Sequence, residues 1–314
     1  MFRENHTTMS EFILLGFSHL GGSQRPLFGL FLLLYLVTLG ANAVIVTTIV
    51  LDRHLHVPMY FFLGILSCSE TLYTLVIIPK ALVDLLARHR AITITACAFQ
   101  MGCFLFLGCS HSFLLAAMGF DRYVAICRPL SYMGLMTRGV CMALVVAASF
   151  CGSAVSLVVT SLIFGSSVPS SGHLQHFFCD IPPVLRVTLP PGSPRQGVIL
   201  ALCALVLVIP LFLIVASYAC IVAAILRIPS SGGRVKPFST CASHLIVVTI
   251  HYACASFIYL RPGARDSSGR DTLVSVTYTV VTPLLNPVIY SLRNREFRVA
   301  LYRVFERLCC PVLC

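Results

Sequence analysis

The sequence predicts an all-α membrane protein built around a bundle of seven transmembrane helices. Two features of its composition carry this prediction: hydrophobic residues make up 58% of the 314 positions, and charged residues make up only 11%. Soluble domains are nearer a quarter charged, because they present polar surface to water. Several apolar stretches also reach the roughly 20 residues that a helix needs to cross a bilayer.

Seven such stretches can be traced along the chain, and each predicts one membrane-spanning helix. The predicted spans are 27–50, 59–82, 95–123, 140–162, 198–226, 238–260 and 273–292. The bundle therefore covers 27–292, after an N-terminal segment 1–26 and before a tail 293–314. The third, sixth and seventh spans contain His, Ser, Thr and Pro, and polar groups at membrane depth usually face the bundle interior. We expect these three helices to be central.

The basic residues predict an extracellular N-terminus. In that orientation twelve lysines and arginines fall on the cytoplasmic side and ten on the extracellular side, a bias in the direction of the positive-inside rule. Asn5 begins an Asn-His-Thr sequon, which is an acceptor for N-glycosylation only on the luminal side. Residues 1–26 show neither the apolar core nor the cleavage site of a signal peptide, so the first span is expected to direct insertion.

The tail predicts a short amphipathic helix that lies on the cytoplasmic leaflet and contacts membrane lipid. Apolar residues recur there at helical spacing between interleaved arginines. They are Phe297, Ala300, Leu301, Val304, Phe305 and Leu308. Cys309 and Cys310 follow as candidate palmitoylation sites, and two unmodified thiols are the alternative.

Other classes of function are disfavoured by what the chain lacks. The net charge of +11 is spread over loops and tail without a basic domain, so no nucleic-acid partner is predicted. No Walker loop, HExxH or GxSxG sequence occurs, so neither an enzyme nor a cofactor is predicted. The fifteen cysteines are dispersed without a recurring CxxC pair, which argues against a metal site. A transporter would be expected to show inverted repeats or midplane charges, and an odd number of spans does not divide into equal halves.

Five motifs occur in order along the chain. They are LHVPMYFFL (55–63), GFDRYVAICRPLSY (119–132), SYACIVAAIL (217–226), KPFSTCASHL (236–245) and PLLNPVIYSLRN (283–294). Together with the seven spans, this ordered set resembles the olfactory receptors, a family of rhodopsin-like (class A) G-protein-coupled receptors. The resemblance implies a multi-pass receptor in the plasma membrane that binds a small volatile odorant and activates a stimulatory heterotrimeric G protein, which raises cAMP. The alternative is a receptor of the same family that responds to an endogenous small metabolite outside the nose.

The same resemblance implies which residues couple the receptor to its G protein. Arg122 is expected to be held by its neighbour Asp121 at rest and to be released on activation, with Tyr123 completing the motif. The other residues implied are Tyr218, Lys236, Asn286, Pro287 and Tyr290. Pro287 would weaken a helical turn where the seventh span can bend. A plain anchor at the membrane interface is the alternative reading of Asp121 and Arg122.

The resemblance also implies a disulfide between Cys97, at the start of the third span, and Cys179, in the second extracellular loop. An extracellular location permits such a bond. His173 and His176 lie near Cys179 in the sequence and could suggest a metal site. An oxidised Cys179 could not bind a metal ion, so we do not expect one.

Two residues depart from the pattern of the family. Glu70 stands in the second span where the family usually has Asp, and His111 stands in the third where it usually has Glu. We expect the two side chains to face each other as a buried ionic or hydrogen-bonded pair, in which each favours the charged form of the other. A sodium site would then be disfavoured, because an imidazolium repels the cation. The alternative is that His111 hydrogen-bonds helix backbone or a serine.

The ligand pocket is expected in the outer half of the bundle, and helical spacing turns two sets of residues toward it. On the third span, counted from Cys97, they are Phe104, Leu105, Gly108 and Cys109; on the sixth they are Tyr252, Ser256 and Tyr259. The resemblance adds Cys203, Val206 and Thr279. For each residue, ordinary helix packing is the alternative. Since no Asp, Lys or Arg is among them, we expect a mostly neutral ligand held by dispersion and one or two hydrogen bonds.

Overall fold

Seven long helices dominate the computed structural model, which describes residues 11–18, 23–87, 89–165, 172–227, 231–260 and 268–309. In 231–240, 268–270, 290–293 and 308–309 it describes the backbone alone. The first six helices are α1 Gln24–Leu51, α2 Pro58–Leu86, α3 Ile94–Cys127, α4 Arg138–Phe164, α5 Pro194–Leu226 and α6 Ser231–Tyr259. The seventh, α7, consists of Ser268–Val276, a π-helical turn Thr277–Val281, and Thr282–Arg293. Each contains a segment long and apolar enough to cross a membrane, so the predicted seven-helix bundle is confirmed.

Local sequence explains where several helices begin. The Thr93 hydroxyl accepts a hydrogen bond from the Ala96 N–H at the start of α3 (3.2 Å), and the Thr137 hydroxyl accepts one from the Val140 N–H at the start of α4 (3.3 Å). Pro194 occupies the first turn of α5, where its missing N–H is not needed. Such residues compensate for the N–H groups that have no partner within the helix itself.

α3 forms the centre of the bundle. Of its most apolar window, 72% is buried, against 22% for α1 and for α4 and 28% for α5. The buried shares for α6 and α7 are 44% and 50%. The helices that were predicted to be central, α3, α6 and α7, are therefore more buried than α1, α4 and α5. α2 also reaches 50%. Gly152 allows α4 to approach α3 closely, because a Cβ at this position would overlap the Ser110 hydroxyl.

A three-stranded sheet covers one end of the bundle, which we call the cap end. β1 (Glu11–Leu14) lies between β2 (Ala91–Thr93), to which it is antiparallel, and β3 (His173–Leu174), to which it is parallel. Phe12 and Leu14 of β1 are buried in the main hydrophobic core. Residues 11–14 are therefore part of the folded cap.

A disulfide fastens the segment after β3 to the start of α3. It joins Cys97 to Cys179, the pairing that the family resemblance implied, with the Cα atoms 5.5 Å apart. Asp180 follows and is the N-cap residue of a short helix, Ile181–Thr188, which we call the loop helix. The disulfide thus holds the loop helix against the helical bundle.

The opposite end carries the Asp-Arg-Tyr motif (121–123) and is called here the DRY end. A short helix, Tyr132–Leu135, follows α3 there, and the amphipathic helix α8 (Arg295–Cys309) lies there too, as the tail pattern predicted. Phe297, Ala300 and Val304 on its apolar face are buried, the first two in a cluster with residues of α1, α2 and their connection. Phe305, by contrast, is 63% exposed. Part of the stripe that was expected to lie on lipid therefore packs on protein, because the α1–α2 region offers an apolar surface to it.

Candidate functional site

A small cavity lies in the cap half of the bundle, between α3, α4, α5, α6 and α7 and beside the first residue of the loop helix. Its volume is about 40 Å³. Seven of the ten predicted pocket residues line it: Phe104, Leu105, Gly108, Cys109, Cys203, Val206 and Tyr259. The four residues predicted from the spacing along α3 are thus brought together at one cavity.

Three predicted pocket residues lie outside this lining, and they are Tyr252, Ser256 and Thr279. On α6 the lining residues are Tyr259 and Ala255, and Ala255 is one position before Ser256. On α7 the lining residue is Tyr278, one position before Thr279. Both residues lie in a π-helical turn, 277–281, and such a turn changes which positions of a helix face inward.

The sequence reasoning missed seven lining residues. They are Ser112, Val155, Val159, Ile181, Leu207, Ala255 and Tyr278. Val155 and Val159 are four residues apart and share one face of α4, but a uniformly apolar span offers no marker for its inward side. Ile181 belongs to the loop helix, whose position over the bundle depends on the disulfide and cannot be read from helical spacing.

The polar groups around the cavity are hydrogen-bonded within the protein. The Tyr259 hydroxyl donates to Asp180 Oδ1 (2.9 Å), and the same oxygen accepts from the Ile181 N–H (2.7 Å). Burial raises the pKa of Asp180 to about 7, against the lowering effect of these two hydrogen bonds. Below the cavity, Ser112 Oγ lies 3.0 Å from His251 Nε2. A polar ligand would therefore join or exchange with hydrogen bonds that already exist.

Aromatic side chains of the cap pack beside the cavity. The Phe178 ring packs edge-on against Phe104 with the ring centroids 5.0 Å apart. His176 hydrogen-bonds Ser275 Oγ through Nε2 (3.0 Å) and the Phe178 carbonyl through Nδ1 (3.2 Å). Burial lowers the pKa of His176 to about 4. With Cys179 oxidised and His176 hydrogen-bonded through both ring nitrogens, the two residues serve the packing of the cap.

Glu70 and His111 are both buried and approach one another between α2 and α3. His111 Nδ1 lies 4.0 Å from Glu70 Oε1, at the outer limit of an ion pair. Their hydrogen bonds run elsewhere: His111 Nε2 pairs with Ser69 Oγ (2.7 Å), and Glu70 Oε1 accepts from Asn286 Nδ2 (2.7 Å). The two side chains are therefore neighbours, and the hydrogen bond of His111 goes to a serine.

At the DRY end, Asp121 and Arg122 form a hydrogen-bonded ion pair. Arg122 Nε donates to Asp121 Oδ2 (3.0 Å), and Arg122 Nη2 contacts the same oxygen. Asp121 is fully buried, and its Oδ1 accepts from the Tyr132 hydroxyl (2.8 Å). Burial and the adjacent Asp121 raise the pKa of Tyr132, so its hydroxyl remains a donor. Arg122 is thereby held to its own helix.

Two buried histidines tie α6 to α3. His244 hydrogen-bonds the Tyr218 hydroxyl through Nδ1 (2.8 Å) and the Leu115 carbonyl through Nε2 (3.1 Å). Two turns closer to the cap, His251 bonds Ser112. The sequence reasoning did not single out His244, although it stands inside the motif KPFSTCASHL and that motif was a usable signal.

Of the remaining predicted residues, the structure describes the side chains of some and not of others. Asn286 bonds Glu70, Pro287 is buried inside α7, and the Tyr123 ring lies 6.2 Å from that of Phe120. Five predicted positions lie outside the described residues or side chains: Asn5, Lys236, Tyr290, Cys309 and Cys310.

Known proteins match this chain along almost all of its length. The family model described as "Olfactory receptor" matches residues 31–307. Olfactory receptor 10K2 of Homo sapiens is 60% identical over 307 residues, which are 98% of this chain and 98% of that protein. Olfactory receptor 10K1 of Homo sapiens is 60% identical over 312 residues, 99% of this chain and 100% of that protein. Olfactory receptor 10R2 of Homo sapiens is 52% identical over 304 residues, 97% of this chain and 91% of that protein.

Proposed function

The chain belongs to the olfactory receptor family of class A G-protein-coupled receptors, and from this premise we propose which ligand it binds, how it lies in the membrane and how it signals. Family membership makes it a multi-pass membrane receptor for odorants that acts through a G protein, and not an enzyme. The proposed ligand is a small, mostly neutral volatile molecule bound in the cavity beside the loop helix. Its binding activates a stimulatory heterotrimeric G protein, which raises cAMP.

The lining of the cavity supports a neutral ligand. Among the described residues that line it, none carries a charge, and most are aliphatic or aromatic. Dispersion contacts would therefore supply most of the binding, with Tyr259 and Ser112 as hydroxyl partners. A water needs roughly 10–15 Å³ of such space, so about 40 Å³ is small for an organic ligand. The ligand is expected to displace side chains as it binds.

The position of the disulfide supports an extracellular cap end. A disulfide persists in an oxidising compartment, and Cys97–Cys179 lies at the cap end beside the N-terminal strand β1. The sequon at Asn5 and the bias of basic residues point the same way. The receptor is thus oriented with its N-terminus outside and the DRY end in the cytoplasm.

The shared use of α3 is the observation that carries the proposed mechanism. Phe104 lines the cavity, and Arg122 on the same helix forms the ion pair at the opposite end. They are 18 positions apart, which corresponds to about 27 Å of helix. A ligand that moves Tyr259 or Ala255 on α6 would strain the hydrogen bonds of α6 to α3 and favour release of Arg122.

The exposed side of α8 supports contact with the cytoplasmic leaflet. Tyr302 is 72% exposed and Phe305 is 63% exposed, beside the basic residues Arg298 and Arg307. Apolar and basic groups in this arrangement suit a membrane interface. Palmitoylation of Cys309 or Cys310 would strengthen the same contact.

A cAMP-reporter screen of the full-length receptor against a broad panel of neutral odorants tests the proposal. We expect at least one agonist, and we expect Arg122→Ala to abolish its response while surface staining stays measurable. Arg298→Ala, an exposed arginine on α8, is the matched control and should retain the response. A full response from Arg122→Ala would contradict the role of Arg122. A panel without agonists on a receptor shown to be at the surface would contradict the proposed ligand class.

A further inference from the structure

A second, larger cavity opens on the outside of the bundle, apart from the proposed odorant cavity. It has a volume of about 500 Å³ and lies where α3, α4 and α5 meet, in the half toward the DRY end. Its walls come from the regions 113–123, 144–151 and 213–220. All three regions belong to helices that are long and apolar enough to cross a membrane. We call this cavity the α3–α5 cleft.

Short side chains leave the space that forms the cleft. Five alanines line it, and they are Ala116, Ala117, Ala147, Ala148 and Ala216. Ala147 and Ala216 are exposed at its open side, and Phe120 on α3 is also exposed there. Since these helices cross the membrane, the open side of the cleft faces lipid. Its occupant is therefore a molecule that resides in the bilayer.

The polarity of the lining limits what that molecule can be. Among the described residues that line the cleft, none is charged, so a charged occupant would lose its solvation without gaining a partner. The Ser217 hydroxyl already donates to the Leu213 carbonyl (2.8 Å). Tyr123 brings a second hydroxyl, at the DRY end of the cleft. The lining thus suits an apolar body with one hydroxyl at its end.

The dimensions of the cleft favour a rigid, wide molecule over a hydrocarbon chain. Residues 113–123 extend over about 15 Å of helix, so a volume of about 500 Å³ corresponds to a mean cross-section on the order of 30 Å². A single chain whose neighbours lie about 4 Å away would fill only about half of this area. A flexible chain would also lose more conformational freedom than a fused-ring molecule on binding.

We propose that the α3–α5 cleft binds a sterol from the leaflet at the DRY end. The ring system of the sterol lies over the alanines, between α3, α4 and α5, and its hydroxyl points toward Tyr123. A sterol in this position packs beside the helix that carries Asp121 and Arg122. Membrane composition would thereby influence the receptor separately from the odorant cavity.

Photolabelling of the full-length receptor in phosphatidylcholine vesicles with a photoreactive cholesterol analogue tests the proposal. We expect labelled peptides from α3, α4 and α5, and we expect unlabelled cholesterol to compete. The double variant Ala147→Phe/Ala216→Phe fills the open side and should lower the labelling about tenfold, the effect of overpacking a formed site. Tyr123→Phe keeps the ring, removes the hydroxyl and should lower it about fivefold.

The matched control is Val146→Phe/Val215→Phe, which adds the same rings one position earlier on the same helices. Val146 and Val215 are exposed and do not line the cleft, so this control should label like the parent receptor. Equal labelling of the parent and of Ala147→Phe/Ala216→Phe would overturn the proposal. It would also be overturned if photoreactive phosphatidylcholine labelled the cleft and cholesterol did not displace it. A third contrary result would come from single-molecule counting of Ala147→Phe/Ala216→Phe. If this variant lost receptor dimers but kept its sterol labelling, the cleft would be assigned to a second copy of the chain.

Discussion

The two ends of α3 differ in the interactions that their side chains make. At the cap end, α3 contributes apolar side chains to a cavity whose lining, in the part of the chain described, is uncharged. At the DRY end, it buries a carboxylate and a guanidinium that satisfy one another, with a tyrosine hydroxyl as third partner. Where dispersion dominates, ligand affinity changes gradually with the volume of the lining side chains. Loss of one partner of a buried ion pair has a large energetic effect, because either charge alone is costly to keep away from water.

This difference separates ligand choice from signalling. Substitutions in the cavity should change which ligands bind and how tightly, with little effect on the receptor without ligand. Substitutions at the ion pair should change the receptor at rest, whatever the ligand. Four predictions sharpen this contrast or break it.

The largest effect is expected from Asp121→Ala. Removing one partner of a buried ion pair costs about 3–5 kcal/mol, and here the loss falls on the resting state in which Arg122 is held to its own helix. Agonist-independent cAMP should rise at least about tenfold, as measured with the reporter and normalised to surface expression. The double variant Asp121→Ala/Arg122→Ala should be silent. A quiet Asp121→Ala receptor at normal surface level would show that the ion pair does not restrain Arg122.

The next effect concerns the cap, where two buried groups oppose one another in pH dependence. The pKa of Asp180 is raised from its ordinary value of 3.8 to about 7, so its contribution to stability is present at low pH and is lost as the pH rises from about 4 to about 7. The pKa of His176 is lowered from 6.5 to about 4, so its contribution is lost as the pH falls through that range. Each is on the order of 3 kcal/mol, since one pKa unit corresponds to about 1.4 kcal/mol.

Thermal unfolding of the purified receptor in nanodiscs between pH 4 and 7.5 measures this opposition. The parent receptor should show a shallow profile, because the two contributions nearly cancel. Asp180→Asn should make stability rise with pH, and His176→Gln should make it fall. If the melting temperature of both variants depended on pH as it does in the parent receptor, the cap would not contain the two titrating groups described above.

A third, smaller effect distinguishes the cavity from ordinary packing on the same helix. A Cβ at Gly108 would lie 3.3 Å from the Tyr278 hydroxyl, whereas one at Gly102 meets ordinary contacts of 3.5 Å or more. Gly108→Ala should therefore weaken agonist potency about tenfold, since overpacking costs about 1–3 kcal/mol. Gly102→Ala is the matched control and should leave the concentration–response curve in place. Agonist-independent cAMP should be unchanged in both; a rise with Gly108→Ala would break the separation between the two ends.

The sequence predicted the spans well and the cavity only in part, for reasons that particular residues show. Phe104, Leu105, Gly108 and Cys109 follow from the spacing along α3, because an unbroken α-helix keeps its faces in register. On α7 the resemblance implied Thr279, but the cavity is lined by Tyr278, and a π-helical turn at 277–281 interrupts the regular register there. Such a turn has no clear mark in the local sequence.

Helical spacing also could not predict the contacts between segments that are distant in the sequence. Asp180 meets Tyr259 across 79 positions, and Glu70 meets Asn286 across 216. Helical periodicity identifies which residues face inward but not which inward residues touch. The pairing Cys97–Cys179 was available only through resemblance to a family, since the fifteen cysteines allow many other pairs.

The smallest effect is expected from a second ion pair at the DRY end, whose basic partner is partly exposed. Arg303 of α8 donates from Nε to Asp52 Oδ2 (2.9 Å), and Asp52 also accepts from the His54 N–H (3.0 Å). Burial alone would raise the pKa of Asp52, but the hydrogen bonds from His54 and Arg303 hold it below its usual value. Arg303 is 36% exposed, so solvent screens the pair and its contribution is below about 1 kcal/mol.

Arg303→Met should therefore lower the melting temperature by about 2 °C or less and leave agonist-independent cAMP unchanged. Arg298→Met, on the exposed side of α8, is the matched control and should not change the melting temperature. The contrast with Asp121→Ala is the point of the measurement, because both variants break an ion pair to a buried aspartate. If Arg303→Met activated the receptor as strongly, any disturbance of the DRY end would suffice for signalling, and the pair of Asp121 and Arg122 would have no special part in it.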